Sequence, residues 1–248
     1  MIVSRSDPEQ TEPRLTRPTS PAAVDPRPLI SPSFVGREKE LDQLTEVLLS
    51  RPAIGVVEGE AGVGKTRLVR ELLRNHKGLA LLGYCHPMRE PFPLGPFAEA
   101  LGGAADAFAN VIFSPASGAA SRLLPELAHL LPGAPEGGDD PRAERHVLLR
   151  SLVALLNDLG PTLLVLEDLH WADDATLELL ALLQARFPEG LVLVGTFRRE
   201  DTSAGSPVRT LSSRLSEGVT GVNIELSPLD ITDVRNLVSF MLATDQVS

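Results

Sequence analysis

The chain has 248 residues, a length that suits one large domain or two small ones. Its 23 Lys and Arg against 33 Asp and Glu leave a formal net charge of −10, which argues against direct DNA or RNA binding, because a nucleic-acid surface must neutralise phosphates. The single cysteine, Cys85, excludes an intrachain disulfide framework and a cysteine-rich metal site, and it fits a reducing cytosol. No apolar run approaches the roughly 20 residues a membrane span needs, and no apolar signal core opens the chain. A cytoplasmic protein with no membrane partner is the expectation.

Residues 1–33 hold seven prolines, and Arg5, Arg14, Arg17 and Arg27 balance Asp7, Glu9, Glu12 and Asp25. Proline at this density blocks helix and central strand alike, so a disordered leader is expected. From Phe34 onward the pattern changes. Leu41, Leu44 and Leu48 give one face of a helix over Arg37–Leu49. A buried strand over Ala53–Val57 runs into a glycine loop, and helical spacing resumes over Thr66–Leu73. Leu79–Tyr84 reads as a strand, and Pro96–Leu101 and Ser121–Leu131 read as helices. The turn residues of Leu131–Arg142 mark an exposed loop between helices. A helix over Arg142–Leu159 and a continuous apolar strand over Thr162–Leu166 follow. Then come a helix (Ala175–Ala185), a strand (Leu191–Thr196) and a helix over Pro207–Leu215 with Ser206 as its cap. A strand over Val222–Leu226 and a helix over Ile231–Ala243 close the order. Alternating strands and helices imply an α/β fold, with a mostly parallel sheet covered by helices on both faces. Ligands bind such sheets at the carboxyl ends of the strands.

Gly59-Glu60-Ala61-Gly62-Val63-Gly64-Lys65-Thr66 stands at such an end and matches G-x-x-x-x-G-K-[ST] in full. Glycines let the backbone curl its N–H groups toward phosphate oxygens, and the following helix adds its positive dipole end. Lys65 can reach the β- and γ-phosphates of a nucleotide, and the Thr66 hydroxyl can ligate Mg²⁺. A second strand, Leu163-Leu164-Val165-Leu166, ends in Glu167 and Asp168. One carboxylate can hold Mg²⁺ through water while the other orients an attacking water. A third, ending in Gly195-Thr196-Phe197-Arg198-Arg199, brings Arg198 to the same edge, where it can sense a γ-phosphate. Arg199 reads as a surface arginine, and Cys85 as a core residue at a strand end.

These segments, with Phe34-Val35-Gly36-Arg37-Glu38 and Leu169-His170-Trp171-Ala172-Asp173, resemble the ATPase module of STAND proteins, relatives of the AAA+ and origin-recognition ATPases. Within that class the chain is most similar to the large LuxR-type, MalT-like transcriptional regulators of actinobacteria. The resemblance implies a P-loop NTPase sandwich of five strands over 34–226 and the beginning of a helical lid over 227–248, entered through Leu226-Ser227-Pro228-Leu229. It implies ATP or ADP with Mg²⁺ as ligands. Val35, Gly36 and Arg37 would lie near the adenine, and Gly59 to Thr66 with Arg67 would line the phosphates. Thr66 and Glu167 would hold the metal, with Asp168 orienting water. His170 and Trp171 would pin the helix that follows. The acidic pair departs from the family's usual order of Asp before Glu or Asp. The chain ends at Ser248, inside the lid, as a short protein or a fragment would. The functions implied are a regulatory ATP switch with slow hydrolysis in a transcriptional regulator, a faster oligomeric ATPase with Arg214 acting in trans, or a nucleotide-binding remnant. Self-association or a partner protein completes the expectation.

Overall fold

Five apolar segments become five strands: β1 (Ala53–Gly59), β2 (Leu79–Tyr84), β3 (Thr162–Glu167), β4 (Leu191–Phe197) and β5 (Thr220–Leu226). The computed structural model describes residues 34–87 and 92–245. The leader expected over 1–33 and the last three residues of the expected lid segment lie outside them. The strands form one sheet in the order β2-β3-β4-β1-β5, and every neighbouring pair is parallel. Register aligns their carboxyl ends. Tyr84 stands opposite Glu167, and Glu58 stands opposite both Phe197 and Glu225. The glycine loop, the acidic pair and the Thr196–Arg198 segment therefore leave the sheet at one edge.

Successive strand residues face opposite sides, and the two cores follow that alternation. On one side Ala53, Val57, Leu163, Val165, Val192 and Val194 pack against Leu44 and Val47 of α1 (Glu38–Leu49) and Leu68, Val69 and Leu72 of α2 (Lys65–Asn75). On the other side Ile54, Val56, Leu164, Leu166 and Leu193 meet three helices, α3 (Gly95–Gly102), α5 (Pro141–Asp158) and α6 (Asp174–Ala185). Each fully buried aliphatic side chain contributes about 1.5–3 kcal/mol relative to exposure, and the two-sided burial explains why β1, β3 and β4 read as unbroken apolar runs. This is the α/β P-loop sandwich expected from the sequence. Gly83 of β2 allows the closest approach in the far layer: a Cβ there would collide with the backbone carbonyl of Pro96 in α3.

Two predicted helices do not form. Over Ser121–Leu131 the chain makes 3-10 turns at Pro115–Arg122 and Pro125–Leu127. Pro125 has no N–H for a continuing helix, yet Leu124, Leu127 and Leu131 are buried as a helical face would bury them. Over Pro207–Leu215 only the 3-10 turn Pro207–Thr210 forms, although Ser206 caps it by accepting from the Val208 N–H. A short helix, α4 (Ala105–Phe108), was not predicted. The last helix, α7 (Ile231–Asp245), leaves Val234 and Val238 exposed. The Met241 side chain lies outside the described residues.

Candidate functional site

β1 passes into α2 through the glycine loop. Gly62 (φ 75°) and Gly64 (φ 109°) take left-handed conformations that other residues rarely adopt, and a Cβ at either would point into open space. Gly64 caps α2 without a side-chain bond, and the first turn carries no acid. The amides and positive end of α2 are thus available to an anion. The buried Lys65 ammonium donates to the carbonyls of Gly59 (2.7 Å) and Glu60 (2.8 Å). Burial lowers its pKa and Arg198 lowers it further, against the opposing pull of Asp168, Glu200 and Asp201. The Ala61 N–H donates to Glu200 at 3.0 Å. Hydrogen bonds from its own N–H and from Ala61, with Lys65 and Arg198 nearby, hold the Glu200 carboxyl below its usual range.

Glu167 ends β3 with 1 % exposure. The Thr66 hydroxyl donates to its Oε2 at 2.5 Å, across 101 residues of sequence. Its Oε1 is buried and has no hydrogen-bond partner among the described residues. Burial raises its pKa and Asp168 adds to the rise, while the Thr66 bond, Arg70 and Lys65 act against it. A hydroxyl and an orphaned carboxylate oxygen beside a phosphate loop are the hard donors Mg²⁺ selects. Among the described residues no group of three or more His, Cys, Asp or Glu forms a metal site, so an ion here would complete its shell from substrate phosphates and water. Asp168 has already left the strand, at φ 59°. Its N–H donates to Thr196 Oγ1 on β4 at 3.0 Å, and its carboxylate is 37 % exposed. The turn lets both acids serve the sheet edge, where an extended strand would have faced them apart.

Arg198 leaves β4 near Lys65 and lies 3.5 Å from Asp201, while Arg199 pairs with Glu225 at 2.7 Å on the surface. Arg67 lies 3.8 Å from Glu71 on α2. The Phe34–Glu38 segment packs against α7: a Cβ on Gly36 (φ 74°) would strike the Asp233 carboxylate. The Arg37 guanidinium donates to the carbonyls of Ser227 and Val63 (3.5 Å) and to Glu40 (3.1 Å). It thereby ties the glycine loop to the turn before α7. Val35 is half-buried beside it. Arg214 is exposed, and its backbone carbonyl accepts from Gln184 at the end of α6.

The Leu169–Asp173 string has local structural work. Asp173 caps α6, accepting from the N–H groups of Ala175 (2.9 Å) and Thr176 (3.0 Å) and from the Thr176 hydroxyl (2.5 Å). The Asp-Asp-Ala-Thr pattern of residues 173–176 carries that cap signature. Glu200 and Asp201 also escaped sequence reasoning, since neither belongs to a spaced motif. So did Arg70 and Tyr84, which lie near each other and near Glu167. Burial pushes the Cys85 thiol up to about 12, so it is no reactive thiolate. Among the described residues no helix is long and apolar enough to cross a membrane.

Comparison with known proteins gives three kinds of likeness. The family model described as AAA ATPase domain matches residues 33–194. An uncharacterized protein of Rhizobium meliloti (strain 1021) is 27 % identical over 241 residues, covering 82 % of this chain and 21 % of that protein. A Walker-type ATPase of Pyrococcus abyssi superposes with a TM-score of 0.51 at 18 % identity, over 83 % of this chain and 57 % of its own. The ORC1 protein of Aeropyrum pernix, solved in complex with DNA, has the same TM-score and identity over 88 % of this chain and 52 % of its own. The two structures share the fold. The chain spans about a fifth of the curated relative and a little over half of each solved chain.

Proposed function

This chain belongs to the AAA ATPase domain family, and from that premise we propose that it is the ATP-binding switch of a signal-responsive transcriptional regulator of the STAND class, with slow Mg-dependent hydrolysis. The observation that carries the nucleotide reading is the contact between Thr66, the last residue of the phosphate loop, and Glu167 at the end of β3. It joins a phosphate cradle to a buried acid without any other ligand. The Phe34–Glu38 and Leu169–Asp173 strings support the finer assignment through their resemblance to the LuxR-type regulators.

In this reading the amides of Gly62 to Thr66 receive the phosphates, and Lys65 turns from the Gly59 and Glu60 carbonyls to the β- and γ-oxygens. Thr66 and, through water, Glu167 would hold Mg²⁺, which would supply charge neutralisation on the phosphates. Asp168, half-exposed at the turn, accepts from the attacking water and aims it. Arg198 faces the terminal phosphate from β4. Arg67 lines the phosphate side from α2, and Val35, Gly36 and Arg37 border the adenine. Because Arg37 also holds the Ser227 carbonyl, occupancy there would be felt at α7, the start of a lid that adopts one position with ATP and another with ADP.

Lys65 donates to the Gly59 and Glu60 carbonyls and Glu200 accepts from the Ala61 N–H, bonds that a triphosphate would exchange for its own oxygens; the turnover rate separates a switch from a fast motor. Turnover slower than about one per minute supports the switch, whereas the 1–100 per second of working phosphoryl-transfer enzymes overturns it and favours the oligomeric ATPase, with Arg214 as its trans arginine. Mg-ATP binding with no turnover at all identifies the remnant. The reading includes a cytoplasmic location, a protein partner or a second copy for signal output, and no direct DNA contact by this acidic chain. A sequence-specific DNA shift at physiological salt would refute that last element.

A further inference from the structure

His170 follows the acidic pair in the 3-10 turn Leu169–Trp171, and its side chain is 0 % exposed. Both ring nitrogens are buried without a hydrogen-bond partner among the described residues. Nδ1 lies 3.9 Å from Asp168 Oδ1, and Nε2 lies 3.9 Å from Asp201 Oδ2. Asp201 is the carboxylate that holds Arg198, at 3.5 Å. The imidazole thus stands between the acid assigned to the attacking water and the partner of the arginine assigned to the terminal phosphate. The ring packs on Trp171, with centroids 5.2 Å apart. That contact needs a ring but no nitrogens, and a buried polar group without partners calls for a reason.

Burial lowers the pKa of His170, opposed by Asp168 and Asp201 and reinforced by Arg198 and Lys65, which favours the neutral ring. A neutral imidazole has one N–H donor and one acceptor nitrogen, and both of its neighbours are carboxylates that only accept. It can donate to one of them at a time. While Arg198 neutralises Asp201, Asp168 is the stronger acceptor and attracts the N–H on Nδ1. Once Arg198 leaves for a terminal phosphate, Asp201 carries an uncompensated charge and attracts the N–H on Nε2.

We propose that His170 is a positioning residue that couples the Arg198 contact to the freedom of Asp168: it restrains Asp168 while the site is empty or holds a diphosphate, and releases it when a nucleoside triphosphate is bound. The change is a tautomer exchange. One proton leaves Nδ1 and one arrives on Nε2, the net charge is constant, and water at the half-exposed carboxylates of Asp168 (37 %) and Asp201 (42 %) carries the transfer. The inference rests on the nucleotide-switch reading and adds the link by which the third phosphate is read.

Nitrogen-15 NMR of the histidine-labelled full chain tests the inference, with Mg-ADP and Mg-adenylyl imidodiphosphate as ligands and calorimetry to establish that each is bound. The expected result is an Nδ1–H tautomer of His170 in the free and ADP states and an Nε2–H tautomer with the triphosphate analogue. An unchanged tautomer with the analogue bound overturns the coupling and leaves the nucleotide reading standing. Failure of both ligands to bind overturns the nucleotide reading and the coupling with it. Two variants separate positioning from packing. His170→Phe keeps the ring on Trp171 and removes the restraint, so analogue affinity should stay within about 2-fold and turnover should be retained or rise. His170→Gln restores a donor that cannot exchange tautomers, holds Asp168 with any nucleotide bound, and should lower turnover. A His170→Phe protein whose turnover falls at least about 10-fold shows that the nitrogens support Asp168 rather than restrain it, and sinks the proposal.

Discussion

Glu167→Gln removes a charge from a carboxylate that is 1 % exposed, with one oxygen on Thr66 and the other without a hydrogen-bond partner among the described residues. An unsatisfied buried polar atom costs about 1–3 kcal/mol, and more when charged. A cation arriving at Oε1 recovers that cost, so the increment Mg²⁺ adds to ATP affinity through this residue is about 2–3 kcal/mol, or about 30- to 150-fold in Kd. The Gln variant should lose that increment and bind metal-free ATP as the wild type does. Asp168→Asn alters a carboxylate that is 37 % exposed and 3.9 Å from the His170 ring. Little binding energy is invested there, so affinity should be retained with and without Mg²⁺, while turnover falls by the roughly 10²–10⁴ of a lost general base. Calorimetric titration of both variants with ATP, in Mg²⁺ and in EDTA, separates the roles. If Asp168→Asn loses the Mg-dependent increment and Glu167→Gln keeps it, the assignment of the two acids is reversed.

Three further outcomes can be checked. Wild-type protein should bind Mg-ATP in the micromolar range, about −8 kcal/mol, and Lys65→Ala should weaken binding at least about 100-fold, about 2.7 kcal/mol, with its circular dichroism retained; equal affinity would refute the phosphate-loop reading. Gly83→Ala forces a methyl into the Pro96 carbonyl and should destabilise the fold by about 2–4 kcal/mol in chemical denaturation, since backbone cannot move aside as a flexible side chain can. The lowered pKa of buried His170 means that the unfolded chain binds more protons just below the ordinary imidazole value of 6.5. Its contribution is therefore fully present above 6.5 and lost as pH falls through the lower folded value. His170→Phe should flatten that part of the stability curve, and an unchanged pH slope in the variant would contradict the burial argument.

Local rules reached far along this chain. Gly59–Thr66 is contiguous, and a loop that must curl its own amides around an anion has to be written in neighbouring residues. The runs at Ala53–Val57, Thr162–Leu166 and Leu191–Thr196 announced strands covered on both faces, because two-sided burial leaves no room for alternation. The same rules failed at Ser121–Leu131, where leucine spacing suited a helix and Pro125 withheld an N–H. There the core accepted the leucines on 3-10 turns. What no local rule could supply was the meeting of distant groups. Strand order β2-β3-β4-β1-β5 places Thr66 on Glu167, sets the Asp168 N–H on Thr196, and leaves His170 between Asp168 and Asp201. Backbone propensity and hydrophobic period act over a few residues and are legible in the chain. Electrostatic partnership and burial depend on through-space distances of a few ångströms between segments dozens to a hundred residues apart, and only the packed sheet determines those.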